Sequence, residues 1–221
     1  MPMSAKPVLV VGSKNYSSWS LRPWLLLRQF NVAFDEIVLP LDTAEFHARI
    51  HDYSPTGRVP VLHDGDVRIW DSLAIAEYAN ERWLDGRGWP TDVAARALAR
   101  SICAEMHSGF AALRSELPMN CRKRVKDHPA SAEAQADIAR IKAIWRQARE
   151  RFGKGGPFLF GSFGIADAMY APVVMRFESY DVALDPVERV YADAILALPA
   201  LRDWLVASVN ERPVAKYEPA K

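Results

Sequence analysis

Cysteine is scarce in this chain: its 221 residues include two, Cys103 and Cys121. Two are too few for a disulfide framework, and they lie too far apart for a CxxC redox pair or a zinc pair. Both read as reduced thiols. No apolar run reaches the roughly eighteen residues a membrane span requires, and no basic, apolar and small-residue leader follows Met1. The chain therefore reads as cytoplasmic, with no membrane partner. A surplus of either charge is also missing, since 28 basic residues face 27 acidic ones. No sequence-wide field draws it to nucleic acid. Neither a Gly-rich phosphate loop nor HExxH occurs, and His47 and His51, four apart, make at most half a metal site. No metal is expected, and the partner reads as a small molecule.

What is present suits a packed fold: half the residues are hydrophobic and a quarter are charged. Pro7 to Gly12 is a short apolar run ended by glycine, as a strand buried on both faces would be. Leu21 to Phe30 predicts a helix packed on that sheet, Phe34 to Leu39 a second strand, and Thr43 to Asp52 a short helix. Arg58 to His63 and Val67 to Trp70 flank Asp64-Gly65-Asp66, a strong hairpin signal. Asp71 to Trp83 closes the unit as a helix, with Ile75, Ala76, Ala79 and Trp83 at helical spacing. The order predicts a mixed four-stranded sheet with helices over residues 1–84. Leu84 to Asp92, with Gly86, Gly88 and Pro90, reads as a linker.

Residues 92–221 read as an all-α domain. Leu98, Ile102, Met106, Phe110, Leu113 and Leu117 predict one long amphipathic helix, and Ile138, Ile141, Trp145, Ala148 and Phe152 another. Ile165 to Phe177, Val187 to Leu198 and Pro199 to Asn210 predict three more. The basic run Arg122 to Lys126 reads as a solvated loop or helix end.

Three places could carry chemistry. Pro23 fits only the first turn of a helix, so the helix begins within Ser18 to Arg22 and the serines of Ser17-Ser18-Trp19-Ser20 stand at its N-terminus. Such a turn favours an anion, although a serine there is also an ordinary N-cap. No cysteine precedes Cys103, so sulfur chemistry at this turn needs a thiol brought by the ligand. Lowering a thiol pKa by about two units requires roughly 2.7 kcal/mol. A hydroxyl donor to an anion supplies about 1.5 to 3 kcal/mol and a helix end up to about 2, so no metal or charged base is needed. Second, Arg58-Val59-Pro60 opens a strand with a proline. A cis Val59-Pro60 bond would turn the Val59 N–H and C=O toward a peptide ligand, but spacing alone leaves the isomer open. Third, Asp71-Ser72 begins a helix. It serves as a cap, or as a site where Asp71 takes an ammonium and Ser72 the neighbouring carboxylate of an amino-acid head group.

In order and spacing, the serine turn, Arg58-Val59-Pro60 and Asp71-Ser72-Leu73-Ala74-Ile75 resemble the N-terminal domain of cytosolic glutathione transferases, and Gly164-Ile165-Ala166-Asp167 resembles that family's helix-capping box. The turn is most similar to the serine-type zeta and tau classes and their bacterial relatives. The resemblance implies an α/β thioredoxin-like domain, then an all-α domain contributing a second-substrate site. It implies a detoxifying transferase with glutathione as co-substrate and a small apolar electrophile as partner, working as a homodimer. Carried over, Ser17 holds the glutathione sulfur, Val59 before Pro60 pairs with the cysteinyl backbone, Asp71 and Ser72 hold the γ-glutamyl end, and Arg58 reaches the glycine end. Asp167 is the structural cap, and Met106 and Phe110 either line the second site or pack the core. Isomerisation, reduction or a non-catalytic glutathione-binding role are the alternatives. Trp19 stands where zeta members carry cysteine, which counts against maleylacetoacetate isomerase activity. Asp71 is one methylene shorter than the usual Glu or Gln, and Gly164 replaces a capping Ser or Thr at a cost of a few tenths of a kcal/mol.

Overall fold

A computed structural model describes residues 6–218, so the leader expectation at Met1 lies outside the described residues. Strands β1 (Val8–Gly12), β2 (Asp35–Leu39), β3 (Val61–Asp64) and β4 (Val67–Trp70) form one mixed sheet in the order β2-β1-β3-β4. β1 is parallel to β2 and antiparallel to β3. Helix α1 (Ser18–Gln29) makes the crossover, as a parallel pair requires. β3 and β4 meet across a tight turn in which Asp64 pairs with Val67 and Gly65 has φ 58°. β3 begins at Val61 rather than Arg58: Pro60 has no N–H to give the ladder, and Arg58 to Pro60 are left as a loop beside it.

Strand alternation divides the core. Leu9, Val11 and Leu62 face α1 and α3 (Ser72–Arg82), while Val10 and Val61 face Phe46 and Ile50 of α2 (Ala44–Tyr53). The larger of the two cores continues into the helical half, which comprises α4 (Val93–Ser108), α5 (Ala111–Glu116), α6 (Ala132–Phe152), α7 (Ile165–Ser179), α8 (Pro186–Leu196) and α9 (Pro199–Ser208). The architecture is thus an α/β thioredoxin-like unit followed by a helical domain. Every residue of α7 except Glu178 is buried, as expected of a central helix that is apolar all round. α1 packs against it.

The single helix expected over Leu98 to Leu117 is two. α4 ends at Ser108, where a Cβ on Gly109 would come 2.8 Å from the Glu105 carbonyl oxygen, and Phe110 takes a left-handed φ of 56° before α5 begins. Phe110, Leu113 and Leu117 remain buried, so the apolar spacing continues through a change of axis that it cannot reveal. The basic run does lie in a loop, but Arg122 is not merely solvated. Its guanidinium donates to the carbonyls of Val209 and Glu211 and to the Tyr16 hydroxyl, at 3.1, 2.7 and 3.0 Å.

Candidate active site

The serine turn is built from both ends of the chain. The Ser13 carbonyl accepts the N–H groups of Tyr16 and Ser17, and Ser17 caps α1 without a side-chain cap bond. Its hydroxyl instead donates to Ser20 Oγ at 2.7 Å, and that oxygen also accepts the Gly12 N–H at 3.1 Å. Ser18 Oγ accepts a bond from Arg176 Nη2 of α7 at 3.2 Å. All three serines are buried. Upstream, the Glu211 carboxylate takes the N–H groups of Lys14 and Asn15 at 2.6 and 2.8 Å. The Tyr16 hydroxyl donates to Glu218 Oε1 at 2.6 Å and accepts from Arg122 and from the Val214 N–H. These bonds leave Tyr16 no free proton for a ligand.

Two adjoining clefts open at this turn. One, of about 330 Å3, is lined by Asp71, Ser72, His107 and Trp70. The other, of about 500 Å3, is lined by Ser17, Ser18, Met119, Arg176 and Tyr217. Trp19, Arg58, Val59 and Arg114 line both. The Val59-Pro60 bond is cis. No described residue bonds the Val59 N–H or C=O. Ser17 therefore lines the second cleft, Asp71 and Ser72 the first, and Arg58 and Val59 stand between them in both. Met106 and Phe110 line neither; both are core residues.

Asp71 has a left-handed φ of 76°, a strained backbone for a residue with a Cβ. Its Oδ1 accepts the N–H groups of Leu73 and Ala74 at 2.8 and 3.3 Å, capping α3, and its Oδ2 lies 2.5 Å from His107 Nε2. The neighbouring Ser72 hydroxyl is buried with no protein partner among the described residues. A buried hydroxyl without a partner costs about 1 to 3 kcal/mol, so a ligand acceptor here would recover that energy.

Several guanidinium groups gather here, with Asp71 lining the first cleft and Asp42 the second. Arg22 and Arg176 are buried, and among the described residues neither these nor Arg58 or Arg114 forms an ion pair with a carboxylate. Burial, then repulsion from Arg176 and Arg114, lowers the Arg22 guanidinium to about 9, and burial lowers Arg176 to about 10. Arg22 stacks on the Trp19 ring 4.2 Å from its centroid, and Arg114 lies 5.5 Å from the same ring. Among the described residues no three His, Cys, Asp or Glu side chains gather as a metal site would need. The two cysteines are free and buried, and burial pushes Cys121 up to about 12.

Arg176, Arg114 and His107 escaped the sequence reading because each belongs to a helix read for its apolar face. Arg176 did carry a signal, standing between Met175 and Phe177 in a helix otherwise almost wholly apolar.

Comparison with known proteins agrees with this geometry. Residues 16–82 match the family described as "Glutathione S-transferase, N-terminal domain" and residues 131–207 its C-terminal counterpart. A dichloromethane dehalogenase of Methylorubrum extorquens is 42% identical over 65 residues, a match spanning 27% of this chain but only 21% of that protein. A probable maleylacetoacetate isomerase of Caenorhabditis elegans is 34% identical over 188 residues, covering 84% of this chain and 85% of that protein. A crystal structure of a glutathione transferase homolog from Burkholderia, with bound glutathione, shares the fold at a TM-score of 0.70 and 21% identity, covering 94% of this chain and all of that one. With these matches in both halves of a thioredoxin-like and helical fold, the chain belongs to the glutathione S-transferase family, whose co-substrate is glutathione.

Proposed function

We propose that the chain binds glutathione along its two clefts, ionises the sulfur at the start of α1 and directs the thiolate at an electrophile carrying a carboxylate. The γ-glutamyl end goes to Asp71 and the unpartnered Ser72 hydroxyl, the cysteinyl backbone to Val59, the glycine end to Arg58, and the sulfur to Ser17, whose hydroxyl turns from Ser20. The observation that carries this reading is that Arg58, Arg114 and Arg176, none of which forms an ion pair with a carboxylate among the described residues, line the clefts beside the buried serines at the start of α1. It favours an anionic second substrate over the purely apolar one implied by the resemblance, with Met119 and Tyr217 covering the apolar remainder. The test is turnover with matched electrophiles that differ in a single carboxylate. A neutral electrophile turned over as well as its carboxylate partner would remove the guanidiniums from substrate selection.

Isomerisation is the second reading, favoured by the Caenorhabditis elegans relative, whose match spans most of both chains. A transferase consumes glutathione in step with product, whereas an isomerase returns it; product analysis separates the two. In this reading residues 1–84 bind glutathione and residues 92–221 supply most of the second site. The assembly is a homodimer acting in the cytoplasm. Val67 and Trp70 on the edge strand β4, with Val93 at the start of α4, are exposed apolar side chains that a second copy would cover. Sedimentation equilibrium finding only monomer would remove the dimer.

A further inference from the structure

We propose that Trp19 decides which electrophiles are accepted: its indole is a fixed wall shared by the two clefts, and it favours acceptors that carry no bulk on the carbon attacked. The inference rests on the proposed attack by a glutathione thiolate at this turn.

Trp19 is unlike the serines on either side of it. Ser17, Ser18 and Ser20 are buried, whereas Trp19 is half-buried and lines both clefts, of about 330 and 500 Å3. Because it follows Ser17 and Ser18 directly and shares the larger cleft with them, its bulk falls where a sulfur held by the turn must meet its partner. Bulk far from the reacting carbon meets other residues, among them Phe46, Met119 and Tyr217.

Side chains from three helices fix the ring. Arg22 of α1 stacks 4.2 Å from its centroid, Arg114 of α5 stands at 5.5 Å, and His107 of α4 meets it edge to face at 5.4 Å. A guanidinium within about 6 Å of an indole is attracted to it, and more strongly once water is excluded. His107 is itself bonded to Asp71, and Arg114 Nη1 donates to the His107 carbonyl at 3.4 Å. A ring held in this way cannot swing aside for a bulky acceptor without breaking several contacts.

The same contacts give a reason for a costly residue. Arg22 is 3% exposed, forms no ion pair among the described residues and leaves Nη1 without a partner, although its Nε donates to the Met169 carbonyl at 3.2 Å. A buried cation without a carboxylate destabilises a fold, and the stack on Trp19 offsets that cost. Trp19 touches the substrate and selects it; Arg22 acts through Trp19 and is a positioning residue.

The reaction that reads this selection is addition to an unsaturated ketone. The thiol proton leaves to solvent, the sulfur bonds to the β-carbon, the alkene pair moves onto the carbonyl oxygen, and the enolate takes a proton from solvent. No protein group is oxidised, reduced or covalently changed.

The experiment compares two enone carboxylates that differ only on the carbon attacked, hydrogen in one and phenyl in the other, at saturating glutathione. The ratio of their kcat/KM values is measured in each full-length variant, so that intrinsic reactivity and any loss of folded protein cancel against the wild type. Trp19→Ala should raise the phenyl-to-hydrogen ratio by about tenfold or more, and Trp19→Phe by about threefold. Arg22→Met, which removes the charge and keeps the bulk, should raise it about threefold alone and add nothing in the Trp19→Ala background. A ratio that Trp19→Ala leaves within about twofold of the wild type overturns the wall. An Arg22→Met shift that persists undiminished beside Trp19→Ala overturns the part assigned to Arg22. Should Arg22→Met fail to fold, Arg22→Lys, whose ammonium cannot stack flat on the ring, makes the same comparison. If the wild-type chain binds no glutathione, or turns over neither enone, the parent reading fails and this proposal with it; a wild type that turns over the hydrogen-bearing enone leaves the parent reading standing whatever the Trp19 ratio shows.

Discussion

His107 of α4 and Asp71 of the α3 cap touch across the two halves of the chain, with Nε2 2.5 Å from Oδ2. Both Asp71 oxygens thus have protein partners, Oδ2 facing His107 and Oδ1 capping α3. A γ-glutamyl ammonium bound to Asp71 must share or displace His107. Replacing His107 with alanine should therefore tighten glutathione binding a few-fold in calorimetric titrations at fixed pH. Unchanged or weaker binding would mean that the ammonium does not use Oδ2.

Ser17→Ala removes the hydroxyl proposed to hold the sulfur and leaves the rest of the binding cleft in place. The ionisation of bound glutathione should move up by about one pH unit, corresponding to about 1.4 kcal/mol, with affinity nearly unchanged. A wild-type profile in a difference-absorbance titration would exclude Ser17 from the mechanism.

Glu211 lies nearly two hundred residues from the turn it holds, with both carboxylate oxygens on the Lys14 and Asn15 N–H groups. In Glu211→Gln an amide NH2 faces one of those donors, leaving it unsatisfied at a cost of about 1 to 3 kcal/mol. Denaturant unfolding should report that loss. Turnover should fall more than glutathione affinity, because the displaced turn carries the serines rather than the γ-glutamyl site.

Asp167 behaves as a pH-dependent cap. It accepts the N–H groups of Leu159 and Gly164 at 3.0 and 2.9 Å, yet burial pushes its carboxyl up to about 7. An unfolded aspartate titrates near about 3.9. Between these values the folded chain holds the extra proton, so the stability this group contributes is full below about 4 and is lost as pH rises to about 7. Asp167→Asn should flatten that part of the profile in thermal melts. A slope that survives the substitution would assign it to other groups. Asp167→Ala should cost about 2 to 6 kcal/mol below about pH 4, since two donors lose their acceptor, and less as pH rises toward about 7.

Much of the candidate site was legible along the chain because each of its parts is a short local feature. The serines do stand at a helix start, although Pro23 lies inside α1 beyond its first turn; Asp64-Gly65 sets the hairpin that delivers Asp71, and Arg58-Val59-Pro60 lies just before β3. Short-range rules of proline, glycine and caps suffice for such features. The helical half was legible as helices, but its break at Gly109-Phe110 was not, because the apolar spacing runs unbroken through it. That break separates His107, at the end of α4, from Arg114, in α5, and both side chains line the cleft beside Asp71 and Ser72.

The sequence by itself determined the elements, their order, the serine turn and the lack of a protein thiol there, since each follows from spacing and from backbone limits within a few residues. Tertiary structure alone decided that Arg176 meets Ser18, that His107 meets Asp71, that Glu211 holds the turn, and that Arg176 lines the second cleft. These depend on contacts between residues 36 to nearly 200 positions apart, and no periodicity or local preference encodes which buried side chains will meet once helices pack.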